Sequence, residues 1–330
     1  MTRVLVPLLT KPPARPLGGV AHALAGETMG TTWSVKLTAQ PAADVPALTA
    51  MVQRALDAVV AQMSPWEPLS DLSRYNRAPA GSWTMLPADT ATVLRRAIEI
   101  AAATDGAFDP TLGALTDLWG FGPRPFSGQP PPREAVEAAR DHGGWKRLTL
   151  DGDALFQPGG LRLDLNGIAK GFGVDQAAAA LERAGVKSYL VEVGGELRGT
   201  GAKPDSQPWW VELERPPTAN DALRTVVALH DLAVATSGDY RRFFDHGGRR
   251  YAHTLDPISG APSDHGVVSV TVLAKTCMDA DAWATALTVM GPDAALAFAT
   301  AHALPALIVS KAAKGLEERL SPALQAMLDA

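Results

Sequence analysis

Residues 267–291 read VVSVTVLAKTCMDADAWATALTVMG. The first eight residues are short-range apolar and rich in β-branching, which marks a strand over 267–274. From about 279 to 290 the chain is apolar enough to form a buried helix. The fold class turns on how strands of this kind connect. WWVELE (209–214) and LRTVVALH (223–230) are further strand signals, and several strand pairs are separated only by short turns. That pattern predicts an α+β chain of mixed, largely antiparallel sheets packed with helices, and disfavours a doubly wound parallel sheet.

Outward from this segment, strands are expected at 31–37, 146–151, 161–165, 188–193 and 305–310. Helices are expected at 45–63, 87–103, 168–184 and 292–302, with one more at the C-terminus. The 45–63 helix is amphipathic, with Leu48, Met51, Val52, Leu56, Val59, Val60 and Met63 on one face. The stretch GPRPFSGQPPPR (122–133) is a proline-rich surface loop. Residues 1–25 are expected to form a loose arm, and 26–330 a single domain.

The 330 residues carry a net charge of −5 and are 46% hydrophobic, with no run of Lys and Arg. Nucleic acid is therefore not an expected partner. The single cysteine, Cys277, excludes an internal disulfide and any cysteine-built metal centre. No run approaches the roughly 20 apolar residues of a membrane span. Pro7 interrupts the apolar stretch Val4–Leu9, which makes a poor export signal. A cytoplasmic location is expected, with the bacterial periplasm as the alternative.

Two acids entering an apolar helix need a reason. Asp279 and Asp281 could cap the helix and meet its positive dipole end. Alternatively, Asp281 and Thr285 lie four apart on one face and offer hard oxygens, which suits Mg²⁺ or Ca²⁺. In LDLNGIAKGFGVD (163–175) a strand turns at Gly167 into a helix with Lys170 in its first turn. Such a turn presents free N–H groups to a phosphate, although a tight turn with a solvated lysine would read the same way. The segment 104–123 mixes Asp105, Asp109 and Asp117 with Phe108, Trp119 and Phe121, which suits a flat heterocycle or an ordinary packed loop. His253, in RRYAHTLDPISGAP (249–262), could be a base titrating near neutrality or a structural residue.

Taken in order, these segments resemble the ApbE family of FAD:protein FMN transferases. The blocks are ETMGTTW (27–33), MSPWEPLSDLSRYN (63–76), GAFDPTLGALTDLWGFG (106–122), LDLNGIAKGFGVD (163–175), VEVGGELRGTG (191–201), TSGDYRRFF (236–244), YAHTLDPISGAP (251–262) and DADAWATALTVMG (279–291). The resemblance implies an ApbE-type fold, FAD as substrate and Mg²⁺ as cofactor. The implied reaction moves FMN from FAD to a Thr or Ser hydroxyl of an acceptor flavoprotein and releases AMP. Met29, Trp66, Ala107, Phe108, Asp109, Asp164, Lys170 and Thr254 would contact FAD. The Gly167 carbonyl, Asp281 and Thr285 would hold the metal, and His253 would be the base. Tyrosine is common in the family where Trp66 stands here. Two other activities are compatible with the same residues: Mg²⁺-dependent FAD pyrophosphatase, and FAD binding without catalysis.

Overall fold

VVSVTVLA is a strand, and it lies well inside an eight-stranded sheet. The computed structural model describes residues 2–8, 19–216, 224–313 and 315–328. The sheet is built from β1 (Val20–Thr28), β2 (Thr31–Ala39), β3 (Tyr189–Val193), β4 (Glu196–Thr200), β5 (Leu232–Gly238), β6 (Val267–Ala274), β7 (Ala306–Ala312) and β8 (Gly315–Leu320). Each strand pairs antiparallel with the next, so order across the sheet is order along the chain. Thr2–Leu5 precedes this meander and Pro322–Gln325 follows it; the other described elements are inserted into it. The expected α+β class with antiparallel sheets is what the chain adopts.

Three of the inserted helices, α1 (Val45–Met63), α3 (Ala169–Arg183) and α4 (Cys277–Met290), cover one face of the sheet. Asp44 caps α1 by accepting from the Ala47 N–H at 3.0 Å, and Val52, Leu56, Val59 and Met63 are buried beneath it. α2 (Ala88–Ala103) joins the same core through Val93, Leu94, Ala97 and Ile100. α5 (Pro292–Ala301) follows α4 directly, with Ala295 and Ala299 in that core. The opposite face is covered by a three-stranded sheet of Thr2–Leu5, Arg224–Leu229 and Trp209–Glu212. β6 is consequently buried on both sides. Val270 and Val272 pack under the helices, while Leu273 packs with Leu5, Val227 and Leu229.

Several expectations are corrected. Within residues 1–25, Thr2–Leu5 is a strand paired parallel to Arg224–Leu229, and Val20 onward is β1; residues 9–18 lie outside the described residues. The strand expected at 161–165 makes only a single bridge, between Leu112 and Arg162. Asn76 takes the place of a neighbouring strand, accepting from Leu163 N at 2.7 Å and donating to Leu163 O at 2.9 Å. The C-terminal helix is only Pro322–Gln325, preceded by β8. β8 carries Glu317, Glu318 and Arg319, charges that blunt a sheet edge and hide the strand from a hydropathy reading.

Candidate active site

The site is organised by the crossing of α3 and α4. A Cβ added at Gly171 would stand 2.3 Å from the Cys277 carbonyl oxygen and 2.9 Å from the Asp281 Cβ. Only glycine lets the two backbones meet this closely. Asp175, one turn further along α3, accepts from the Cys277 N–H (3.0 Å) and the Met278 N–H (2.9 Å), and binds Arg198 of β4 at 2.7 Å. It thereby caps α4 from the neighbouring helix.

The two acids of the opening segment have separate partners, and neither serves as the N-cap. Thr276 is the N-cap, accepting from the Asp279 N–H at 3.2 Å. Asp279 pairs with Arg96 of α2 at 2.7 Å. Asp281 faces inward, 7% exposed, and its Oδ2 accepts from the Gly171 N–H at 3.0 Å. Burial raises its pKa, opposed by Lys170, by the Gly171 N–H and by Arg241.

The Gly171 N–H would ordinarily close a helical turn onto the Gly167 carbonyl four residues back. It is drawn to Asp281 instead, which leaves the Gly167 carbonyl without that donor. Thr285 adjoins Gly167: its Oγ1 lies 3.0 Å from where a Gly167 Cβ would be, and the Phe108 ring lies 3.4 Å from the same point. Thr288, one turn on, donates its hydroxyl to the Ala284 carbonyl. Among the described residues the Thr285 hydroxyl makes no such bond. A freed carbonyl, a free hydroxyl and a buried carboxylate thus meet where α3 begins. Among the described residues no three His, Cys, Asp or Glu side chains form a metal cluster. A cation here would need mixed donors of this kind, and these hard oxygens fit Mg²⁺.

Lys170 and Arg241 supply positive charge. Lys170 Nζ lies 2.7 Å from Glu196 Oε2, and Arg241 Nη1 lies 3.8 Å from Glu196 Oε1. Arg241 is fixed in turn by Glu214 and by the Gly194 carbonyl at 2.8 Å. Burial, reinforced by the charge of Asp281, pushes Glu196 up to about 7 against the pull of Lys170 and Arg241.

His253 closes the other wall. Its Nδ1–H donates to the Arg242 carbonyl at 3.2 Å, which leaves the lone pair on Nε2. The expected titration near neutrality is not found. Burial, joined by the charges of Arg242, Lys170 and Arg241, pushes the imidazole down to about 4. Arg242 lies over the Trp66 ring at 5.5 Å and bonds the Phe121 carbonyl at 3.0 Å. Phe244, Tyr251 and Trp119 stack beneath the hairpin formed by Phe243–His246 and Arg249–Ala252, which fixes its approach to this wall.

The remaining expected residues fall into three groups. Met29, at the β1–β2 turn with φ of 51°, reaches Gly173 of α3, and Phe108 packs against Gly167; both belong to the α3 neighbourhood. Asp109 and Asp164 spend their carboxylates on the loops that carry them. Asp109 accepts from Thr111 N, Thr111 Oγ1 and Trp145 N, while Asp164 accepts from Asn166 N and Thr116 Oγ1. Ala107 precedes buried Phe108, and Thr254 is buried beside His253. A cavity of about 650 Å³ lies elsewhere, under the proline-rich loop, lined by Asp117, Arg124 and Arg162 among others. None of the expected site residues lines it. Sequence reading missed Asp175, Glu196, Arg198 and Arg241, although all four stand inside the quoted blocks LDLNGIAKGFGVD, VEVGGELRGTG and TSGDYRRFF.

Hard oxygens beside two partly buried cations, with a neutral imidazole within reach of their charge, define a site suited to a phosphorylated ligand and a divalent cation. The model of the ApbE family matches residues 29–308, and the chain belongs to this family. It is 40% identical over 307 residues to the FAD:protein FMN transferase of Vibrio cholerae serotype O1, covering 92% of each chain. It superposes on the flavinyl transferase ApbE of Pseudomonas stutzeri, apo form, with a TM-score of 0.88 at 38% identity, covering 95% of this chain and 98% of that one. For the flavin transferase ApbE from Vibrio cholerae the TM-score is 0.87 at 39% identity, covering 93% and 99%.

Proposed function

We propose that this chain is an Mg²⁺-dependent FAD:protein FMN transferase that joins FMN to a Thr or Ser hydroxyl of an acceptor protein. The observation that carries this reading is the junction of Gly167, Asp281 and Thr285 beside Lys170. There a helix-closing N–H has been diverted and oxygen donors are left free. Extended identity to transferases of this activity supports the reaction class.

The reaction exchanges a phosphoanhydride bond for a phosphoester. The acceptor oxygen bonds to the FMN-side phosphorus, the bond from that phosphorus to the bridging oxygen breaks, and AMP leaves with the electron pair. A bound Mg²⁺ would neutralise the pyrophosphate and ease the departure of AMP. Gly167, Asp281 and Thr285 would hold that ion. Lys170 would meet the pyrophosphate with its ammonium. His253 would take the hydroxyl proton at Nε2, since its other nitrogen is committed to the Arg242 carbonyl. A pKa of about 4 keeps the imidazole neutral at physiological pH. Trp66, 43% exposed and backed by Arg242, offers a stacking face at the rim.

The test is incubation with FAD and Mg²⁺, with and without co-expressed candidate acceptors, followed by mass spectrometry. An added FMN on an acceptor Thr or Ser, with matching AMP, is the expected result. Free FMN and AMP in equal amounts with or without acceptor would mean hydrolysis, and FAD recovered intact would mean binding alone.

A further inference from the structure

Lys170 occupies the first turn of α3, where the helix dipole is positive and a cation is disfavoured. A lysine there would normally extend into water. Its ammonium instead turns inward to Glu196, whose side chain is 2% exposed against 29% for the lysine. Glu196 is the first residue of β4, directly after the Gly194–Gly195 turn. Both glycines have positive φ, 55° and 99°, and a Cβ on Gly195 would stand 2.6 Å from Arg241 Nη2. The turn therefore does two things. It aims Glu196 at the start of α3, and it leaves room for Arg241 to reach the same carboxylate.

We propose that Glu196 is a positioning residue for the transfer reaction: it holds Lys170, together with Arg241, beside the cation-binding edge of the helix crossing. The inference rests on Lys170 meeting the FAD pyrophosphate, as proposed above. A buried ion pair is weak evidence of stabilisation by itself, because desolvation offsets much of the attraction. Its value here is geometric. The anchor fixes a flexible four-carbon stem whose charge must sit at one spot during the reaction. While paired to the carboxylate the lysine cannot follow the ligand, so the anchor also weakens ground-state binding of FAD.

These two effects separate in a double-mutant cycle of Glu196→Gln and Lys170→Met, read as kcat for AMP release, FAD dissociation constant and thermal midpoint. Glu196→Gln is expected to lower kcat on the order of 10–100-fold and to tighten FAD binding a few-fold, because the freed lysine can follow the ligand. In the Lys170→Met background the same change should alter kcat and FAD affinity less than about two-fold. Glu196→Asp should recover part of the loss. If Lys170→Met is too slow to assay, the cycle on FAD affinity decides alone. The inference is overturned if Glu196→Gln costs the same factor in both backgrounds, if it leaves kcat unchanged, or if kcat, FAD affinity and melting temperature all fall together. A parent protein that binds FAD but releases no AMP would instead overturn the proposed function.

Discussion

Gly171→Ala is the sharpest probe of the helix crossing. The added methyl would sit 2.3 Å from the Cys277 carbonyl oxygen, against about 3.4 Å for ordinary contact, so α3 and α4 must separate by about 1 Å. Overpacking of this size costs about 1–3 kcal/mol, and alanine returns about 1 kcal/mol of helix propensity. The net loss is then about 0–2 kcal/mol, a fall of at most a few degrees in Tm. Catalysis should suffer far more. The crossing carries Asp281 and the Gly171 N–H that frees the Gly167 carbonyl, and a misplacement of about 1 Å can cost 10²-fold. Calorimetry together with AMP release from FAD would separate the two effects. Gly173→Ala is the stability control, since its methyl is crowded only by the movable Met29 Cε at 2.8 Å and meets Leu56 Cδ2 at an ordinary 3.5 Å. A Gly171→Ala protein with parental activity would refute the reasoning, as would one melting no differently from Gly173→Ala while losing nothing in rate.

Thr285→Val removes a hydroxyl that makes no hydrogen bond among the described residues; titration calorimetry should show Mg²⁺ affinity down about 10-fold or more while the melting temperature barely moves. Gly195→Ala forces a side chain onto a φ of 99° and into Arg241, so urea unfolding should show a loss of about 1–2 kcal/mol. His253 sits at about 4 in the fold against 6.5 for the free side chain. The unfolded chain therefore binds more protons between those values, and stability falls as pH drops from about 6.5 through 4. The gap is worth at most about 3 kcal/mol, and partial exposure of the ring halves that. Urea unfolding at pH 7 and pH 4.5 should show a steeper loss for the parent than for His253→Gln, and equal losses would contradict the buried neutral imidazole.

The strongly periodic elements were legible in the sequence. α1 ends where its apolar stripe ends, and 267–274 is the strand its β-branching announces. Elements held by partners far along the chain were not. Thr2–Leu5 is a strand because Arg224–Leu229 lies beside it, and 161–165 fails as a strand because Asn76 occupies its polar edge. At the site, spacing alone suggested Asp281 with Thr285, because both share one helix face. The assignment of capping was wrong in its acceptor: Thr276 and Asp175 take the first N–H groups of α4, and no local pattern reveals Asp175, which lies on another helix. Glu196 and Arg241 were invisible for a similar reason. Each is an ordinary charged residue in sequence, and only the fold brings Glu196 against both Lys170 and Arg241. The titration of His253 was misjudged because burial, which sequence does not show, dominates its pKa.

Asp281→Asn tests the central claim most directly. The amide oxygen can still accept from the Gly171 N–H, so the helix crossing and the fold should survive by circular dichroism and melting. Mg²⁺-dependent AMP release from FAD should fall by at least about 10²-fold, with FAD binding in the absence of Mg²⁺ retained. Parental AMP release by this variant, at the same Mg²⁺ concentration, would contradict the assignment of the metal to Gly167, Asp281 and Thr285.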